Sequence, residues 1–388
     1  EAAQATSAAR RLVGEVSASA AADVAAATRL AAPPPVSAPE PDAEASGVIA
    51  SVFVQAFSAI GHPALAEPLA RMVQAGLVDG LARFGNLRVL QETAAGDAHV
   101  VSGSLVQSGP RVRLRCRLTD PAGNILWSDE VSREGDDLFA LEEDLTAAIV
   151  AALEARIRFA RAAEAQERPP ANANALFLRA LAHMMGDGDF PAVERYLEQA
   201  LAMDPDHGLA GAYLPWAAIQ TGRITSPEIA ARYAKLAQHA VYSAPDDVMV
   251  QSIGGLMYLL LSQDFDGAFT MIERALQRQP HFAFPWLSRA WVRIHHGDSP
   301  GALADFDEAE RLSRADPTDI GIHAGRAMAC FQAGDLEAAR VWVQRSLART
   351  RASLEALRVG IAAAVEQGRM DDARALAQAL LARNPNER

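Results

Sequence analysis

At 388 residues, half of them hydrophobic, the chain is long enough for two or three domains, each with its own core. Its formal charge of −12 argues against non-specific binding to nucleic acid or to an anionic membrane, because both need net positive surface. Two cysteines, Cys116 and Cys330, suggest neither a disulfide framework nor a zinc site, and no uninterrupted apolar run reaches the roughly 18 residues of a membrane span.

Residues 1–47 read as a thin-faced Ala-rich helix followed by the Pro/Ala/acidic linker "AAPPPVSAPEPDAEASG", which cannot build a core. Glu15 and Asp23 interrupt any signal-peptide core. A first residue that is Glu1 and not Met fits either a processed protein or a piece of a longer polypeptide. Lys235 is the only lysine, so nearly every positive charge is arginine, as codon bias in a GC-rich bacterial genome would produce without any demand for anion recognition.

From residue 48 the pattern becomes short β-like runs around one helix. "VIASVFV" reads as a strand, "AEPLARMVQAGLVDGLARFG" as an amphipathic helix, and "LRVLQE" as a second strand. "AHVVSGSLVQ", "RVRLRCRLTD" and "NILWSDEVS" follow, joined by the turn formers "SGP" and "DPAGN", which makes an antiparallel meander. In the middle strand Arg111, Arg113, Arg115 and Arg117 alternate with Val112, Leu114, Cys116 and Leu118, the period of a half-buried strand whose arginines face water or a neighbouring domain. "DDLFALEEDLTAAIVAALEARIRFA" closes the unit as a helix with Asp136 and Asp137 at its N-terminal end. These pieces predict a small α+β domain over 48–158 with helices on one sheet face.

The order of a "DGL" helix, a strand, a "GSL" strand, an Arg-rich strand, a "GNILW" strand and a "DLFAL" helix resembles the TolB-amino-terminal-like (FlgO-like) domain of bacterial regulators. Two departures stand out. The family usually carries a further helix where only "QETAAGDAH" is present here, and the opening strand lacks the family's usual "VLPF" wording.

After a connector at 159–171 the remaining chain, 172–388, is all helical and periodic. "GDGDFPAVERYLEQALAMDP", "SQDFDGAFTMIERALQRQP", "GDSPGALADFDEAERLSRADP", "AGDLEAARVWVQRSLART" and "QGRMDDARALAQALLARNP" are copies of one unit that recurs every 34 to 40 residues, with a degenerate sixth copy near 208–246. Each is helix, turn, helix. A small or modest residue opens the second helix (Val193, Ala268, Ala302, Ala339, Ala373), another follows seven positions on (Ala200, Ala275, Ala309, Ser346, Leu380), and prolines such as Pro205, Pro245, Pro280 and Pro385 end second helices. The unit resembles the tetratricopeptide repeat, which implies a solenoid of five to six repeats whose first helices line a concave, protein-binding face. Counting along that register puts Met257, Leu260, Phe284, Trp291, Ile294 and Met328 on the groove, where tight packing between repeats is the competing reading. Because each half has its own periodicity and "AAEAQERPPANAN" joins them, the two are expected to fold separately.

No catalytic motif is present: there is no nucleophile elbow, phosphate loop, dinucleotide fingerprint or paired-histidine zinc helix. His295 and His296 are adjacent and would point apart on a helix, so no metal ligand is assigned. Glu142, Glu143 and Asp144 read as a solvated charge run. The arginine strand lacks the interleaved aromatics that stack bases, so no nucleic-acid contact is expected of it. The chain is thus expected to be a cofactor-free, non-enzymatic scaffold that binds protein partners. The two resemblances imply the C-terminal part of a cytoplasmic bacterial signalling protein, behind a class III adenylate/guanylate cyclase domain or a winged-helix (CadC/HilA-like) transcription regulator. The alternative is an exported, periplasmic envelope or assembly adaptor.

Overall fold

The computed structural model describes residues 49–91, 98–135, 137–167, 169–186, 188–313, 320–349 and 353–383. The expectations for 1–47, for most of "QETAAGDAH", for Asp136 and for Pro385 lie outside the described residues.

The first unit runs β1 (Ala50–Val54), β2 (Ser58–Ile60), α1 (Pro63–Ala82), β3 (Leu87–Leu90), β4 (Ala98–Ser108), β5 (Arg111–Thr119), β6 (Ile125–Glu134) and α2 (Leu138–Glu167). The sheet order is β3-β1-β4-β5-β6, with the short β2 also beside β4. β1 is parallel to β3 and to β4, the arrangement that a helical crossover such as α1 permits, while β4, β5 and β6 form the antiparallel meander read from the turns. The turns follow their chemistry: Gly109 and Gly123 have positive φ, and the Asp120 carboxylate accepts the Asn124 N–H at 2.7 Å. In β5 the even residues are buried and the arginines exposed, so the strict alternation in sequence is the alternation in space. The buried face packs on Leu69, Val73 and Leu77 of α1 and on Leu145 and Ile149 of α2. Asp137 caps α2, accepting the Phe139 N–H at 2.9 Å. β2, only three residues long, carries no period that the sequence could reveal.

Among the described residues twelve helices follow as six antiparallel pairs: α3 (Ala173–Met185) with α4 (Phe190–Met203), α5 (Gly208–Gln220) with α6 (Pro227–Ser243), α7 (Val248–Ser262) with α8 (Phe265–Arg278), α9 (Ala283–His296) with α10 (Ser299–Leu312), α11 (Ile320–Gln332) with α12 (Leu336–Arg349), and α13 (Leu354–Glu366) with α14 (Met370–Leu381). First helices of successive pairs lie side by side, which makes the tetratricopeptide-type solenoid. All ten register positions named above are buried, none more than 5% exposed. The hairpin inside each pair needs one left-handed residue. Gly188, Gly222, Gly297, Gly334 and Gly368 supply it, and Gln263 adopts φ 61° in the third pair, a conformation that costs a non-glycine residue roughly 1–2 kcal/mol.

The two units are not closed separately, and the expected boundary at 158 is corrected. α2 continues through it to Glu167 and packs on α3. One continuous buried cluster joins the sheet, α1 and α2 to side chains of α3, α4, α5 and α7 and reaches Phe282. The stretch "AAEAQE", polar enough to suggest a linker, is the last turn and a half of a helix whose inward side holds the buried Ala162. Beyond that shared core the array is held locally, with separate clusters around Phe306, around Val343 and around Leu357.

Candidate partner groove and charged faces

The seam between the units is built from residues that neighbour each other only in three dimensions. The Phe84 ring, just past α1, meets Phe282 edge-on at a centroid distance of 4.9 Å. The Gln279 amide donates to Gly80 O at 2.8 Å, and His281 Nε2 lies 3.1 Å from Glu143. A cleft of about 290 Å3 opens here, lined by Asp79, Arg83, Glu142, Glu143 and His281 among others. The Glu142–Asp144 run is largely solvated, with the Glu143 and Asp144 side chains 65% and 61% exposed, and each residue also has a local partner. Glu142 accepts the Thr146 hydroxyl at 2.9 Å, Glu143 reaches across to His281, and Asp144 is 3.8 Å from Arg133.

Deeper in the seam sits an ion pair. Arg158 Nε donates to Glu154 at 3.0 Å, with the two side chains 2% and 0% exposed, and Asn86 Nδ2 donates to the same carboxylate at 3.4 Å. Asp247 caps α7 by accepting the Met249 and Val250 N–H groups at 2.9 and 3.0 Å. Burial pushes the Asp247 carboxyl up to about 6, Glu154 adds to the rise, and the two N–H donors and Arg158 oppose it. Sequence reasoning missed this network, although a signal was present: "AIVAALEARIRFA" places Glu154 and Arg158 one turn apart in a run whose one other charge is Arg156, and oppositely charged residues at that spacing on a largely apolar helix can pair as it is buried.

The groove residues divide into two sets. Leu260, Phe284, Trp291 and Met328 are partly exposed on successive first helices. Met257 and Ile294, each 2% exposed, are corrected to core: Met257 joins the shared cluster, and Ile294 packs with Leu287, Phe306 and Ile322. Trp291 stacks edge-on against Phe306 with centroids 6.3 Å apart, so part of its surface is already used in packing. Gln220 Nε2 at the end of α5 also donates to Glu355 at the start of α13, at 3.2 Å, a contact between two repeats far apart in sequence.

Arginine serves the array differently from the sheet. Arg289 bridges Glu273 and Asp305 at 2.6 and 2.8 Å, and Arg326 repeats the contact one pair later, holding Asp307 and Glu310 at 2.7 Å each. These arginines tie one second helix to the next first helix. On the sheet, Arg111 lies 2.6 Å from Glu134, while Arg113 and Arg115 share Glu130 at 3.0 and 2.6 Å. Arg117 stands between Ser102 and Ser128 in the cross-strand register. The acidic residues of β6 thus neutralise most of the arginine stripe. His296 lies against Phe265 with ring centroids at 5.4 Å, and burial lowers the pKa of its neighbour His295. Among the described residues no group of three or more metal-ligating side chains comes together, and no helix is long and apolar enough to cross a membrane.

No protein-family model matches the chain. It is 32% identical over 152 residues to protein FlbA of Caulobacter vibrioides, a match that covers 39% of this chain and 24% of FlbA, so the chain spans about a quarter of the length of this curated relative. Similar solved structures include the Cut9–Hcn1 hetero-tetramer of the APC/C, with a TM-score of 0.43 and 13% identity over 65% of this chain and 47% of that one. A thermophilic TPR protein of Thermus thermophilus, TTC0263, has a TM-score of 0.37 and 18% identity over 54% of this chain and 99% of that one. The fold is established by the chain's own helix pairs and register, not by these likenesses.

Proposed function

We propose that the chain is a non-catalytic scaffold that holds a protein partner on the inner face of its helical array, with the sheet unit fixed to the array as its base. The observation that carries this reading is the strip of partly exposed apolar side chains, Leu260, Phe284, Trp291 and Met328, on successive first helices. Large side chains half in water and half in packing are the anchors from which interfaces draw most of their energy. The resemblance of the sheet unit to the TolB-amino-terminal-like domain supports a place in a bacterial signalling protein, C-terminal to a cyclase or winged-helix output domain, with regulation as its role. Neither nucleic acid nor a cofactor enters this reading.

The test is affinity capture by the full chain compared with its Trp291→Ala and Leu260→Ser variants, each checked by thermal melting. A partner retained by the parent and lost from both folded variants is the expected result. A captured set identical for all three, or unfolding of both variants, would assign the strip to packing alone and end the groove reading.

A further inference from the structure

We infer that the free edge of β6 pairs with β6 of a second copy of this chain, forming one antiparallel sheet across a two-fold axis at Val131. Four observations lead there, and none depends on the groove.

The sheet order ends at β6, a ten-residue strand whose residues are mostly exposed. Such an edge is a template for another strand unless something blocks it. Its backbone is suitably turned. The Gly135 N–H donates to Pro110 O at 2.9 Å, one step beyond the Arg111–Glu134 pair. Since antiparallel ladders alternate, the odd-numbered peptides of β6 face β5, and those of Ser128, Glu130, Ser132 and Glu134 face outward.

The side chains then select a register. Placing Val131 opposite itself sets Glu130 against Ser132, Asp129 against Arg133, and Ser128 against Glu134, each contact occurring twice by symmetry. Asp129 is exposed and the Arg133 side chain is 35% exposed; within the chain Asp129 accepts the Glu130 N–H at 2.8 Å, Arg133 Nη1 donates to Ser132 O at 3.0 Å and its Nε lies 3.8 Å from Asp144, so pairing exchanges these local contacts for the Glu130–Ser132 ladder and the Asp129–Arg133 pair. Sliding the copies by two residues one way puts Glu130 opposite itself, and the other way opposite Glu134. Slides by one residue set outward peptides against inward ones. The charges that deter indiscriminate pairing at this edge are therefore matched in one register and opposed in its neighbours.

Exposed apolar side chains flank the same edge. Ile125 and Leu126, 59% and 37% exposed, begin β6, and Phe139, 76% exposed, follows shortly after its end. In this register Ile125 of one copy comes opposite position 137 of the other, two residues before Phe139.

Sedimentation of the full chain should give twice the chain mass. Asp129→Arg or Arg133→Asp alone should weaken the dimer at least tenfold, and the two together should restore it, because the swapped charges meet again. Val131→Cys should give a cross-linked dimer on mild oxidation, as facing residues of a non-hydrogen-bonded pair have Cα atoms about 4.5 Å apart, within disulfide reach. Ser128→Cys should not, because the two copies of that residue would lie about 20 Å apart. A monomeric parent, a dimer indifferent to both single reversals, or equal cross-linking of the two cysteine variants would overturn the proposal. The cysteine pair keeps it decidable if a charge reversal unfolds the sheet.

Discussion

The two arginine–glutamate pairs that matter most have nearly the same geometry and opposite surroundings. Arg113 and Glu130 on the sheet are 3.0 Å apart with side chains 44% and 37% exposed, and Arg158 and Glu154 in the seam are 3.0 Å apart at 2% and 0%. Distance does not rank them; burial does. On the sheet each partner stays partly hydrated and loses little if the other leaves. In the seam each has given up water, and for the Glu154 carboxylate the Arg158 guanidinium and the Asn86 amide stand in its place. The seam pair therefore cannot lose one partner without leaving a buried charge, whereas the sheet pairs mainly keep an exposed face neutral.

The comparison breaks most sharply at Arg158. Arg158→Ala leaves Glu154 buried without its ion and should cost about 3–5 kcal/mol in urea unfolding, while Glu154→Leu with Arg158→Met should recover most of that loss. Because the seam belongs to the core shared by the sheet and the array, the single variant is expected to loosen the units together, in one transition. Two separated transitions in the parent protein would show that they are closed independently after all.

Asp247 sharpens it through pH. The folded protein holds this proton up to about pH 6, whereas an unfolded aspartate releases it near pH 4. The group's contribution to stability is thus complete below about pH 4 and is lost as pH rises through 6. Asp247→Asn keeps a side chain that can cap α7 and removes the buried charge, so it should raise the melting temperature at pH 7–8 and change it little at pH 4. An equal shift at both pH values would mean that the carboxylate is not paying a burial cost.

Much of this fold is legible in the sequence, because its periods are local. Alternation marks β5 and its arginine face, and the small residues at Ala268 and Ala275 mark the repeat register, because close helix contacts favour small side chains even though Val193 and Leu380 fill equivalent positions elsewhere. The turn at Gln263 shows where local rules weaken: glycine fills the left-handed site in the other pairs, and the hairpin forms here without it. What the sequence did not show was the seam. Phe84 and Phe282 are distant in sequence and follow no common period, so nothing marks them as partners until the chain is folded. For the same reason Met257 and Ile294 share the groove register and yet lie in the core: register fixes the side of a helix, but not whether the neighbouring elements cover it.

Steric cost inside the array should fall below the loss of the seam ion pair. Ala268→Leu or Ala275→Leu forces extra methylenes into fully buried contacts and should cost roughly 1–3 kcal/mol, read from thermal melts. An effect below that of any sheet arginine would mean that the helices can separate without penalty, against the register proposed for them.

The smallest effect belongs to the sheet. Glu130 is shared by Arg113 and Arg115, so Arg113→Gln leaves the carboxylate one partner at 2.6 Å and the freed position in water. Exposed pairs of this kind contribute about 0–1 kcal/mol and are screened by salt, so the variant should unfold within about 0.5 kcal/mol of the parent and converge on it as salt rises. Urea melts at low and high ionic strength test both parts. A loss well above 1 kcal/mol that persists in high salt would mean that this face is shielded from solvent in the working protein, and the arginine stripe would then have to be treated as an interface and not as the wet side of a strand.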